Sequence, residues 1–243
     1  MGGYSGGRGA WATRRSSPCS PLTILELFVA NSEILLHDSF DDPHAALWFV
    51  EPAGFSALPL DSLLPAPESQ AADSLREAAA PFLGTSRDSL ARQQFIAAFA
   101  AGQQLLAALR EVGTVHCSVG LHRDDVGGAG ELLFSLFTVS WRETAPAPRG
   151  VTAARAVASG GGHVRVEFVE LAAGLASFSE VGSTPASGSG LPRRPLLQMH
   201  AHLPHPDCRR LAVLTLTTTA LARRAEYRAI LRVIAESVSF ERP

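Results

Sequence analysis

The chain has 243 residues, a net charge of −2, and 46% hydrophobic against 18% charged residues, enough apolar material for one sizeable core plus a tail. That balance excludes a basic face for gripping nucleic acid or an anionic membrane surface. No apolar run approaches the ~18 residues of a membrane-spanning helix. All 21 basic residues are arginine, so the amine needed for Schiff-base chemistry or a Walker-type phosphate loop is missing. The lack of lysine, with abundant Ala and Gly, reads as the codon bias of a GC-rich actinobacterial genome. The 3 cysteines, Cys19, Cys117 and Cys208, are too few and odd in number for a disulfide framework, which points to a reducing, cytoplasmic setting.

In chain order, residues 1–21 are rich in Gly, Ser, Arg and Pro and are expected to form a disordered tail, or to reflect a start placed too early. Arg14-Arg15 is not an export signal, because SSPCSP follows where an apolar core belongs. Residues 22–243 are expected to form one domain. Leu22 to Leu36 is apolar, with helix and strand both open. Ala46 to Val50 reads as a strand, and GFSALPLDSLLPAP as an extended, proline-stiffened path.

Glu68 to Phe82 is an Ala-rich helix stopping near Pro81 and Gly84. A stronger helix follows, capped by Ser86 or Asp88, with Leu90, Phe95, Ile96, Phe99, Leu105, Leu106 and Leu109 marking its apolar face. Gly113 sits at its C-terminal cap. Thr114 to Leu121 alternates as a strand, with Val115, Cys117, Val119 and Leu121 on one side. Leu132 to Trp141 is apolar on both faces.

Val151 to Ala158 reads as a short helix. Val164 to Leu171 is an alternating strand with Val164, Val166 and Phe168 inward, and Ala172 to Ser179 reads as another strand segment. Ser183 to Pro195 is a flexible loop. The last third reads strand, turn, strand, helix. Leu211 to Leu216 is apolar on both faces and belongs in the middle of a sheet. Tyr227, Ile230, Leu231, Ile234 and Val238 form one helical stripe. The sum is an α+β fold: a single, mostly antiparallel sheet of about six strands with helices packed on both faces.

The ending LPHPDCRR, LAVLTLTTT and EYRAILRVIAESVSF, with the earlier FVEPAGFSALPLD, resembles the PsbP-like or Mog-type α/β/α sandwich family in its small actinobacterial members. The likeness covers roughly residues 46–240. It implies a binding or assembly role and supplies no catalytic residues to carry over.

Chemistry-bearing clusters are few. HAHLPHPDC holds His200, His202, His205 and Cys208. His200 and His202 share one face of a strand and could bind a metal with a further histidine, His116 or His122, if the strands were neighbours. Gln198, His200 and His202 also make an ordinary solvated strand face, which is the preferred reading. VASGGGHV has the wrong order for a phosphate cradle and reads as a helix stop. Asp124-Asp125 with Gly127 and Gly128 is a hairpin turn without calcium spacing. Arg223, Arg224, Arg228 and Arg232 read as a solvated helix face. Trp48, Phe49 and Phe55 read as core.

No catalytic, cofactor-binding or metal residue is assigned, and no cofactor is expected. The reading is a non-enzymatic binding or assembly protein that takes a protein partner or small ligand on a sheet face. The alternative is a metal-binding protein or metal-dependent enzyme using His200, His202 and a further His.

Overall fold

The structure is a computed structural model that describes residues 35–36, 46–85, 89–124, 130, 132–184 and 194–242. Along these residues the strands are Leu35–Leu36 (β1), Val50–Glu51 (β2), Phe55–Ala57 (β3), Thr114–Arg123 (β4), Leu132–Glu143 (β5), His163–Leu171 (β6), Gly174–Ser183 (β7), Leu196–Pro204 (β8) and Arg210–Thr218 (β9). The helices are Leu60–Leu63 (α1), Gln70–Thr85 (α2), Ser89–Glu111 (α3), Arg149–Ser159 (α4) and Arg224–Glu236 (α5). The tail, the caps Ser86 and Asp88, the turn residues Asp125, Gly127 and Gly128, and most of the Ser183–Pro195 loop lie outside the described residues.

The fold is α+β, built on one open antiparallel sheet of seven strands in the order β3-β4-β5-β9-β8-β7-β6, one more than the six expected. The extra strand is β3. Phe55, Ser56 and Ala57 pair with Gly120, Val119 and Ser118 where the proline-rich stretch was read only as an extended path. Between Pro59 and Pro65 that path also closes into the short helix α1. Ala46 to Val50 does not join the sheet. Its Val50 pairs with Leu36 in β1, and Trp48 makes an isolated bridge to Ser239.

β9 occupies the central position, between β5 and β8. Alternation splits its side chains. Ala212, Leu214 and Leu216 share a face with Val139 and Phe137 of β5 and with Leu203, Ala201 and Met199 of β8. The α5 stripe of Tyr227, Ile230, Leu231, Ile234 and Ala235 packs on that face, with Leu47, Phe49 and Phe55 completing the core. Phe49 meets Phe137 edge-on at 5.9 Å between ring centroids. Trp48, Phe49 and Phe55 are thus core residues.

The other side chains of β9, Leu211 and Val213, share a face with Arg142 and Ser140 of β5 and with Pro204 and His202 of β8. Ser177 stands opposite His202, and its hydroxyl donates to the Ala153 carbonyl of α4 at 3.0 Å. Arg149 fastens the start of α4. Its Nε donates to the Pro204 carbonyl at 3.0 Å, and its terminal nitrogen donates to the Ala173 carbonyl. The turn between β6 and β7 accommodates that guanidinium because Gly174 has φ of +105° and no Cβ, which would otherwise overlap the Arg149 head group.

Three other expectations are corrected. Val164, Val166 and Phe168 are not inward: β6 is the last strand of the sheet, and they stand 66%, 45% and 50% exposed. α2 runs through positions 81 and 84 to Thr85, since an internal proline weakens a helix without always ending it. The apolar stripe of α3 is mostly open, with Leu106 buried but Leu90, Ile96 and Leu105 exposed. Among the described residues no helix is long and apolar enough to cross a membrane.

The central strand sets a stability contrast. Leu214→Ala, at a site with no exposure, is expected to cost about 3–4 kcal/mol, whereas Leu132→Ala, at 70% exposure, should cost under about 0.5 kcal/mol. Urea unfolding of the two variants measures the difference. Equal costs would place β9 outside the core.

Candidate functional site

The sheet face that carries Ser177 and His202 is unusually polar for a covered surface. Register places Ser179, His200, Thr215 and Thr138 in one row across four strands, and Ser177, His202, Val213 and Ser140 in the next. Ser177, Ser179, Thr138 and His202 are all buried, and His200 is partly buried. The alternation that marks His200 and His202 as a solvated face is therefore correct about the face and wrong about its environment: His202 is buried, and the adjacent Ser177 bonds to Ala153 of α4.

Each histidine is oriented by its Nδ1. His200 Nδ1 lies 3.0 Å from Thr215 Oγ1. His202 Nδ1 lies 3.3 Å from the Ser177 carbonyl, which can only accept, so His202 carries its proton on Nδ1 and leaves Nε2 as a lone-pair acceptor. Burial, first of all, drives both imidazoles down to about 4, with further lowering from His163 and Arg142 nearby; the Ser177 carbonyl pulls His202 the other way. Both are neutral at pH 7.

Sequence reasoning missed the third histidine of this group. His163 follows the three glycines that end α4, and its ring lies 6.4 Å from that of His200, which lies 5.9 Å from His202. Both ring nitrogens of His163 are buried without a hydrogen-bond partner. The expected partners, His116 and His122, are elsewhere. They sit on β4, separated from β8 by β5 and β9, on the opposite sheet face: His116 pairs in register with Val139, on the α5 side. Among the described residues no three His, Cys, Asp or Glu side chains are placed to hold a metal ion.

Beside α4 the polar face opens into a groove of about 570 Å³ lined by Arg142, Thr144, Thr152, Arg155, Ser159 and Leu211, among others. Two features mark it out. Thr152 is only 4% exposed, yet its hydroxyl has no partner, and the Thr144 hydroxyl is likewise buried and unpaired. Unmet buried hydroxyls are uncommon and costly. Arg142 and Arg155, with no ion pair among the described residues, face a single carboxylate on the lining, Glu143. The groove is therefore rich in donors and short of acceptors. Neither arginine nor either threonine stood out in the sequence, because no local pattern ties a loop threonine to a helix threonine.

The remaining candidates resolve as structural. Glu51 accepts from the Ser118 hydroxyl and, at 3.1 Å, from His116 Nε2, so the carboxylate stands between serine and histidine and the set lacks the wiring of a nucleophile with its base. Burial, with the Glu51 charge behind it, raises the Cys117 thiol to about 11, which leaves it inert at neutral pH. Cys208 and His205 occupy the turn between β8 and β9, where Asp207 accepts from the Arg209 and Arg210 backbone amides and His205 packs on Trp141 and Phe240.

The arginines on α5 and Arg223 just before it are not a solvated face. Arg228 pairs with buried Glu180, Arg232 pairs with Glu167 at 2.7 Å and stacks over Phe178, and Arg223 pairs with Asp124. Alternation along β6 and β7 turns both glutamates toward α5, which draws the arginines inward. Compared with protein-family models, curated proteins and solved structures, the chain matches none.

The histidine pair makes stability depend on pH with a definite sign. Both folded-state values lie near 4, below the ordinary 6.5, so the folded protein takes up protons less readily than the unfolded chain. Stability is full above about pH 6.5 and falls as pH drops toward 4, by about 1–2 kcal/mol per histidine between pH 7 and 5. Urea midpoints measured across that range should decline in the wild type and decline less in His202→Gln. A slope unchanged by the substitution would mean that His202 is not buried in its neutral form.

Proposed function

We propose that the protein is a non-enzymatic binding protein, and that its ligand is a small molecule bearing a carboxylate or phosphate, held in the groove beside α4 on the polar face of the sheet. The observation that carries this reading is the Thr152 hydroxyl, buried and unpaired on the lining of a groove flanked by Arg142 and Arg155. An oxyanion offers the acceptors these donors lack, and guanidinium forks match its planar geometry. The wider frame belongs to the same proposal. Helices α4 and α5 cover opposite faces of the sheet, in a PsbP-like arrangement whose relatives serve as binding or assembly factors, and the protein works in the cytoplasm.

His163 favours a second reading. An imidazole with both nitrogens unpartnered, beside two neutral histidines, has the chemistry of a soft-metal site once the rings reorient. Elemental analysis separates the two. Stoichiometric zinc or copper, lost in His200→Ala, would replace the oxyanion reading with the metal one.

The oxyanion reading makes a paired prediction for Thr152→Val. Removing an unmet buried hydroxyl should leave the unliganded protein as stable as before or more stable by up to about 1 kcal/mol. Binding of inorganic phosphate or succinate, followed by calorimetry, should weaken about tenfold or more in the same variant and in Arg155→Ala. The reading fails if neither anion binds the wild type, or if binding is indifferent to both substitutions.

A further inference from the structure

We infer that β6 is a self-complementary edge through which two copies of the chain pair antiparallel, joining two seven-stranded sheets into one. β6 ends the sheet: β7 lies on one side, and no strand lies on the other among the described residues. It runs for 9 residues, long for a margin left open, since exposed edges are commonly kept short or otherwise blunted.

Its two faces carry different chemistry. Val166 and Phe168 stand opposite Ser179 and Ser177, on the α4 side, and are 45% and 50% exposed. Arg165 and Glu167 stand opposite Glu180 and Phe178, on the α5 side. A two-fold axis normal to the sheet keeps each face continuous across the junction, so residues of like orientation meet.

An axis through Val166 satisfies both faces at once. Arg165 then stands opposite Glu167 of the partner subunit, and Glu167 opposite the partner subunit's Arg165. On the other face Val166 meets its own copy. An axis through Glu167 sets Arg165 opposite Val169. One through Phe168 sets Val166 opposite Glu170. Neither pairs the charges. The Val166 contact and the two charge pairs thus share one centre, which is the charge complementarity an isologous interface requires.

Two further details fit. Arg165 has no ion pair within its own chain among the described residues, while Glu167 is already held by Arg232 at 2.7 Å, so its carboxylate is positioned for a second cation. The one irregularity of β6 falls at Val164, between His163 and Arg165, just outside the paired stretch, and leaves Arg165 to Glu167 regular.

Sedimentation equilibrium of the full chain tests the inference. The wild type should approach twice 25.7 kDa at about 100 µM. Val166→Arg, which sets two like charges on the axis, should weaken association about 100-fold or more with an unchanged circular dichroism spectrum. Arg165→Glu and Glu167→Arg each create like-charge contacts and should be monomeric alone, yet associate when mixed in equal amounts, because the mixture restores opposite signs at every position. A monomeric wild type, a dimer that survives Val166→Arg, or a mixture that stays monomeric would each overturn the proposal.

Discussion

The constraint on which the rest depends is the burial of β9 on both faces. Leu211, Ala212, Val213, Leu214 and Leu216 are all essentially inaccessible, and no strand at a margin could be so enclosed. Once such a strand lies in the centre, its backbone donors and acceptors must be met on both edges, which β5 and β8 do. Material must also cover both faces. The amphipathic stripe of α5 follows β9 directly in sequence and covers the first face with aliphatic side chains. The second face carries alternating hydroxyls and imidazoles from β5, β7 and β8, so its cover meets a surface that aliphatic packing alone cannot satisfy.

That difference in chemistry explains how α4 is attached. A helix over an apolar face is held by area, which is non-directional. α4 buries Ala153 and Val157 and is held by directed contacts as well: Ser177 to the Ala153 carbonyl, and Arg149 to the carbonyls of Ala173 and Pro204. Such contacts fix the position of the helix without filling the space beside it. The groove is the space left over, and the unmet hydroxyls on its lining come from α4 itself, Thr152, and from the loop before it, Thr144.

The legible parts of the sequence were those governed by local periodicity. Leu211 to Leu216 declared its central place by carrying apolar residues on both faces, with Thr215 the one exception, and Tyr227 to Val238 declared one buried stripe. What depended on tertiary neighbours was not legible. Val166 and Phe168 alternate as a buried strand does, and only the position of β6 at the end of the sheet exposes them. Gln198, His200 and His202 alternate as a solvated face does, yet His202 is buried among its tertiary neighbours. His163 joined the site through a chain reversal at Gly162, with φ of +81°, that was read as no more than a helix stop.

The same reasoning accounts for the charges of α5. A glutamate buried as deeply as Glu180 would be costly unless paired, and Arg228 and Arg224 reach it from the flank of the helix. Glu167 is held one strand further out by Arg232. These bridges tie the last two strands to the helix that packs over the sheet centre, so the margin of the sheet is anchored to the core rather than left to fray. From Arg165 to Leu171 that edge keeps a regular register with β7, the spacing that a second strand requires. The feature that makes the fold stable at its end is therefore also the one that makes that end a template.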